Sequence, residues 1–150
     1  MNILLIEDDW MDRESTLGDL TKSFPQAKIQ VFRCVGDFLK KFSDLPETYV
    51  LVLEHHLPLL EIKDSWETST TEFRDLLDHF PWIGDQWNHQ EAGEKVIGHV
   101  HKHNPNIPIL IYTHSDFYFI DKKIRENPKV YYLLKRSDDQ EPIKVIIQSM

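Results

Sequence analysis

The chain has 150 residues, is 41% hydrophobic and 28% charged, and carries a formal net charge of −8. That length supports one domain with its own core, and the acidic balance excludes a surface built to neutralise nucleic-acid phosphates. A single cysteine, Cys34, excludes an internal disulfide framework, and no apolar run nears membrane-spanning length.

The opening MNILLIEDD turns acidic after one short apolar run, unlike a signal peptide. A soluble cytoplasmic domain is expected. Asn2–Ile6 reads as a strand that ends in Glu7, Asp8 and Asp9. Leu17, Leu20 and Phe24 recur at helical spacing, so Met11–Phe24 is a predicted helix stopped by Pro25, with Asp9 as its cap. Ile29 and Val31 alternate with Lys28 and Gln30, the pattern of a strand with one wetter face. Val35, Phe38, Leu39 and Phe42 restore helical spacing.

Tyr49–Leu53 (YVLVL) is an apolar run of the kind buried on both faces of a parallel sheet. It ends in Glu54, and Pro58 follows. Leu59–Glu91 is irregular and holds Trp66, Trp82 and Trp87; within it Phe73, Leu76, Leu77 and Phe80 predict one short helix starting near Thr70 or Thr71. Gly93–His103 is a further helix, stopped by Asn104-Pro105. Pro108–Tyr112 is a strand ending in Thr113. Phe117–Asn127 is predicted helical with Ser115 or Asp116 as cap. Val130–Leu134 is a strand ending in Lys135, and Glu141–Gln148 is the last helix, with Pro142 in its first turn. This alternation predicts a parallel sheet covered by helices on both faces.

In a parallel sheet Glu7, Asp8, Glu54, Thr113 and Lys135 meet at one edge, where open α/β sheets bind ligands. The blocks ILLIEDD, LVLEHHLP, ILIYTHSD and YYLLK, in that order, resemble the receiver domain of two-component response regulators. Thr113 and Lys135 stand 22 residues apart, the usual family spacing, and Tyr132 matches the switch aromatic. The resemblance covers nearly the whole chain outside Leu59–Glu91. It implies one receiver-like domain over 1–150 with a flavodoxin-like (βα)5 three-layer sandwich and strand order 2-1-3-4-5, carrying an insertion of about 59–91 between the third strand and third helix. It implies Glu54 at the phosphoacceptor position, and Thr113, Lys135 and Tyr132 as the phosphoryl-pocket and switch residues. It also implies Mg²⁺ held by Glu7, Asp8, Glu54 and the carbonyl of His56, an oxygen set that suits a hard cation.

Four features depart from the family pattern. Position 54 is Glu rather than Asp, which moves the carboxylate outward by about 1.5 Å, and misplacement on this scale costs on the order of a hundredfold in rate. His114 stands where a small residue is usual. Arg136 replaces the Pro that usually follows the Lys, so a trans bond is expected there. Gly93, which matches a family glycine, lies 39 residues after Glu54 instead of about eight, and the extra segment is expected to fold over the site or offer a binding surface.

Other residues weigh less. His99 and His103 share a helix face but lack a third metal ligand; His101 lies off it. His55 and His56 point to opposite faces, and Cys34 sits at a helix end. The expected function is an atypical, phosphorylation-independent pseudo-receiver without an output domain. Its expected partners are a histidine kinase, a phosphotransfer protein or a downstream regulator. A homodimer through the helix 4–strand 5–helix 5 face, about Asp116–Met150, is also expected. The rival readings are a phosphorelay receiver phosphorylated on another carboxylate such as Asp8, or a Mg²⁺-dependent phosphotransfer or hydrolytic enzyme using Glu7, Asp8, Glu54 and Lys135.

Overall fold

The apolar runs of the sequence form five parallel strands: β1 (Asn2–Ile6), β2 (Lys28–Phe32), β3 (Val50–Leu53), β4 (Ile109–Thr113) and β5 (Val130–Leu134). In this computed structural model, residues 1–61, 66–84, 92–135 and 141–150 are described, with the backbone alone for 66–69 and 141. The strand order is β2-β1-β3-β4-β5, the flavodoxin-like order expected from the resemblance. The three inner strands are apolar at nearly every position because helices cover both faces; Ile3, Leu4, Val52, Ile109 and Leu110 are fully buried. The outer strands are wetter. In β2, Lys28 and Gln30 are exposed while Phe32 is buried, as the alternation predicts.

Two apolar clusters flank the sheet. Leu4, Ile6, Leu51, Leu53, Ile109 and Ile111 face the larger one, which also holds the fully buried Phe38. Ile3, Leu5, Val52 and Leu110 face the smaller one, with Leu20, Ile143 and Ile147. The helices are α1 (Trp10–Ser23), α2 (Val35–Lys40), α3 (Trp66–His79), α4 (Ala92–His103), α5 (Lys122–Arg125) and α6 (Glu141–Ser149). Asp9 caps α1, its carboxylate accepting from the Asp12 N–H at 3.0 Å. Cys34 caps α2 through Sγ, and burial pushes its thiol up to about 11, so it is inert at neutral pH.

The predicted helix over Phe117–Asn127 is a correction. The segment is a 3-10 turn, Phe117–Phe119, followed by the single-turn α5. Each piece has its own aspartate cap: Asp116 accepts from Tyr118 N–H and Asp121 from Lys123 N–H. Such local side-chain bonds compete with continuous helix. Between them Ile120 takes an extended conformation and buries its side chain in the core, and the Asp121 N–H donates to Glu94 Oε1 at 3.0 Å.

The segment after β3 also differs in detail from the periodicity. It begins as part of the core, since Leu59 and Leu60 are buried and the Gly36 N–H donates to the Leu59 carbonyl at 2.6 Å. Helix α3 starts at Trp66, earlier than the apolar periodicity indicates, because a helix nucleated by its buried turns extends into polar sequence. Its Leu76 is buried, and a Cβ added to Gly36 would stand 2.7 Å from Leu60 and 3.0 Å from Leu76. Trp82 is partly buried against the larger core; Trp87 and the side chain of Trp66 lie outside the described residues.

His99 ties this excursion to α4. The Trp82 indole N–H donates to His99 Nδ1 at 3.1 Å. Burial, then the charges of His103 and Lys102, lower the His99 pKa from 6.5 to about 4. Between those values the unfolded chain takes up a proton that the folded protein refuses. Stability is therefore held above pH 6.5 and lost as pH falls towards 4. After discount for partial exposure this amounts to about 2 kcal/mol. Urea unfolding at pH 7 and 4.5 checks it: His99→Phe is expected to lose that much less on acidification than the wild type, and equal losses would refute the assignment.

Candidate functional site at the strand ends

Backbone pairing fixes the site before any side chain does. Ile6 and Leu53 are register partners, so Glu7 and Glu54 leave adjacent strands side by side. The Glu54 N–H donates to the Ile6 carbonyl at 3.1 Å, and the Lys135 N–H to the Thr113 carbonyl at 2.7 Å. Four side chains predicted from sequence thus meet: Glu7, Glu54, Thr113 and Lys135 are all at most 9% exposed.

Lys135 Nζ is the hub. It donates to Glu54 Oε2 at 2.7 Å, to Asp12 Oδ2 at 3.1 Å and to Glu7 Oε2. The other oxygen of Glu54, Oε1, accepts from the Thr113 hydroxyl and from the His55 N–H at 2.9 Å. Thr113 Oγ1 in turn accepts from the Ser115 N–H at 3.1 Å. One carboxylate therefore bridges the hydroxyl and the ammonium. Burial pushes Glu7 up to about 7, although Lys135 pulls the other way. Burial alone would lower Lys135, but its bonds to Glu54 and Glu7 raise it well above the usual lysine range, so it is charged at any ordinary pH.

The third carboxylate is Asp12, which the strand-end reading does not single out. Glu7, Asp12 and Glu54 each bring an oxygen within 4.8 Å of the others. The available signal is position: Asp12 lies in the first turn of α1, and that turn starts directly beyond β1. Asp8 is exposed instead, and its backbone carbonyl accepts from Arg13 Nη1 at 3.1 Å. His56 is also exposed, with its N–H 3.5 Å from Glu54 Oε1. His114 pairs with Asp12 Oδ2 at 3.2 Å and is largely exposed. The Tyr132 hydroxyl donates to the Ser115 carbonyl, and its ring packs against Phe117. Arg136 lies outside the described residues.

The loop that carries Glu54 is clamped by α4. His55 Nε2 lies 2.7 Å from Glu94 Oε1, and a Cβ added to Gly93 would sit 2.6 Å from the His55 carbonyl oxygen. The donor set of the cluster is all oxygen, as a hard divalent cation requires. Among the described residues three carboxylates face one ammonium, so with Glu7 deprotonated a divalent cation would balance the charge left over.

No family model matches this sequence, and no curated protein does. Solved structures do match over its length. A response regulator receiver domain protein from Clostridium thermocellum superposes with a TM-score of 0.64 at 14% identity, covering 99% of this chain and 91% of its own. TrrA from Thermotoga maritima, a response regulator solved in complex with Mg²⁺–BeF, gives 0.64 at 16%, covering 99% and 98%. Full-length FixJ from B. japonicum gives 0.61 at 18%, covering 99% of this chain and 56% of its own. With the 2-1-3-4-5 sheet and the converging strand ends, these likenesses show that the chain has the response regulator receiver fold.

Proposed function

We propose that the chain is a receiver-like signalling module of two-component type, acting through protein contacts rather than phosphorylation at position 54. The observation that supports this is the double engagement of Glu54, which accepts from both the Thr113 hydroxyl and the Lys135 ammonium. These are the partners that the receiver resemblance assigns to a phosphoryl group. The mimicry is partial, because a phosphoryl group carries about −1.5 to −2 charge and three acceptor oxygens. A protein partner, either a histidine kinase, a phosphotransfer protein or a downstream regulator, reads the resulting surface. Candidate contacts are Tyr118 and Phe119, which are 80% and 77% exposed. The same face is the proposed homodimer surface.

An enzymatic reading is less well supported. It would need a nucleophile, either the exposed Asp8 or Thr113, and Thr113 is fully buried with its hydroxyl donated to Glu54. Intact-mass analysis after incubation with acetyl phosphate and Mg²⁺ tests the proposal, with Glu54→Asp alongside the wild type. The expected result is no adduct on the wild type and one phosphoryl group on the variant. An adduct on the wild type, mapped to Asp8 or elsewhere, would overturn it.

Glu7, Asp12 and Glu54 are the residues that would hold Mg²⁺, with the exposed Asp8 and His56 at the rim. Metal binding must displace the proton that Glu7 retains up to about pH 7. Mg²⁺ is therefore expected to raise the melting temperature more at pH 8 than at pH 6, and Asp12→Asn to remove most of the effect. A shift that is equal at both pH values would count against this ligand set.

A further inference from the structure

A cleft of about 760 Å³, which shares no lining residue with the strand-end cluster, opens between α2, α3 and α4. Small-molecule sites commonly span about 300–1,000 Å³. Its walls are largely rings: Phe42 from the turn after α2, Phe80 and Trp82 from the turn after α3, and His99 and His103 from α4. The Phe42 and His99 ring centroids are 4.6 Å apart, and those of Trp82 and His99 are 5.3 Å apart with a tilt of 31°.

Two observations specify an occupant. The first is the tautomer of His99. An indole N–H only donates, so the bond from Trp82 makes His99 Nδ1 an acceptor and puts the ring proton on Nε2. That Nε2–H has no acceptor among the described residues and is closed to water, so a ligand oxygen reaches it only where the rings around it part. A buried donor without a partner is costly, and a ligand oxygen would remove the cost. The second is charge. The chain is acidic overall, at −8 with histidine counted as neutral, yet among the described lining residues the formal charges are Lys40 and Lys102 against Asp75. Lys40 is engaged by Glu72 at 3.3 Å. Lys102 is exposed at the rim, three residues from His99 and so on the same helix face.

We propose that this cleft binds a planar aromatic molecule bearing a carboxylate, its ring among Phe42, Phe80 and Trp82 and its acidic group held by His99 Nε2–H and Lys102. The site is independent of the acidic cluster and of the signalling role proposed for it.

Titration of the full chain with 2-naphthoate, followed by ¹H–¹⁵N NMR, tests the assignment. The Trp82 indole resonance, identified with Trp82→Phe, is expected to shift saturably. The neutral 2-naphthalenemethanol should bind about tenfold more weakly, the equivalent of about 1.4 kcal/mol. His99→Phe keeps a ring and removes the donor, and is expected to weaken naphthoate similarly. Lys102→Gln should weaken it several-fold and, as a surface change, carries the test if His99→Phe perturbs the spectrum broadly. Absence of saturable shifts at millimolar naphthoate, equal affinity for the alcohol, or undiminished binding to Lys102→Gln would overturn the proposal. So would an amphipathic helical peptide that saturates these resonances where naphthoate does not, because the cleft would then be a protein-docking site.

Discussion

Lys135→Met is expected to cost about 3 kcal/mol or more of folding stability at pH 8. Lys135 Nζ contacts Glu7, Asp12 and Glu54, and its side chain is only 6% exposed. Removing one member of a buried ion cluster leaves uncompensated charge, which costs about 3–5 kcal/mol. Here two of the three carboxylates are buried and the third is half-buried, so solvent relieves little of it. The loss is expected to shrink towards pH 5. Glu7 already titrates near 7 with Lys135 present, and without the ammonium it takes up its proton more readily still. Adding Glu7→Gln to Lys135→Met should therefore recover part of the stability at pH 8. Urea unfolding followed by tryptophan fluorescence at pH 8 and pH 5 checks both points. A loss below about 1 kcal/mol at pH 8, or one that is the same at pH 5, would mean that the cluster is not the electrostatic unit described.

Gly93→Ala and Gly98→Ala are expected to move stability in opposite directions. Both lie within α4, where alanine is favoured over glycine by about 1 kcal/mol. At Gly98 a Cβ meets nothing within 4 Å, so the substitution should stabilise by roughly that amount. At Gly93 the Cβ would stand 2.6 Å from the His55 carbonyl oxygen and 3.0 Å from that of Glu54. Both neighbours are backbone on the loop leaving β3, pinned by the β1–β3 pairing and by the bond from His55 to Glu94. They cannot rotate aside, and overpacking of this kind costs about 1–3 kcal/mol. The loop must move, and Glu54 moves with it. Gly93→Ala should thus also perturb the Thr113 and Lys135 resonances, while Gly98→Ala leaves them in place. Stabilisation by both substitutions would show that α4 does not clamp the strand-end loop.

Much of this arrangement was legible in the chain alone. Tyr49–Leu53 and Pro108–Tyr112 are apolar throughout because they lie in the middle of a covered parallel sheet, and short runs of this kind between helical periods have few other uses. The polar residue that ends each run then falls at one edge by topology, which is why Glu7, Glu54, Thr113 and Lys135 could be named without coordinates. Asp9 as a cap followed from its place before a helical period.

Three things followed only from the tertiary structure. Asp12 joins the cluster because the first turn of α1 stands over the end of β1; its place in that turn follows from the sequence, but its contact with Lys135 does not. The break in Phe117–Asn127 arises because Ile120 must reach the core, and burial overrides a helical pattern wherever one residue has to leave the helix to be buried. The ring-lined cleft needs Phe42, Trp82 and His99 from three distant segments. Periodicity fixes which face of an element is apolar; only packing fixes which faces meet and what they leave between them.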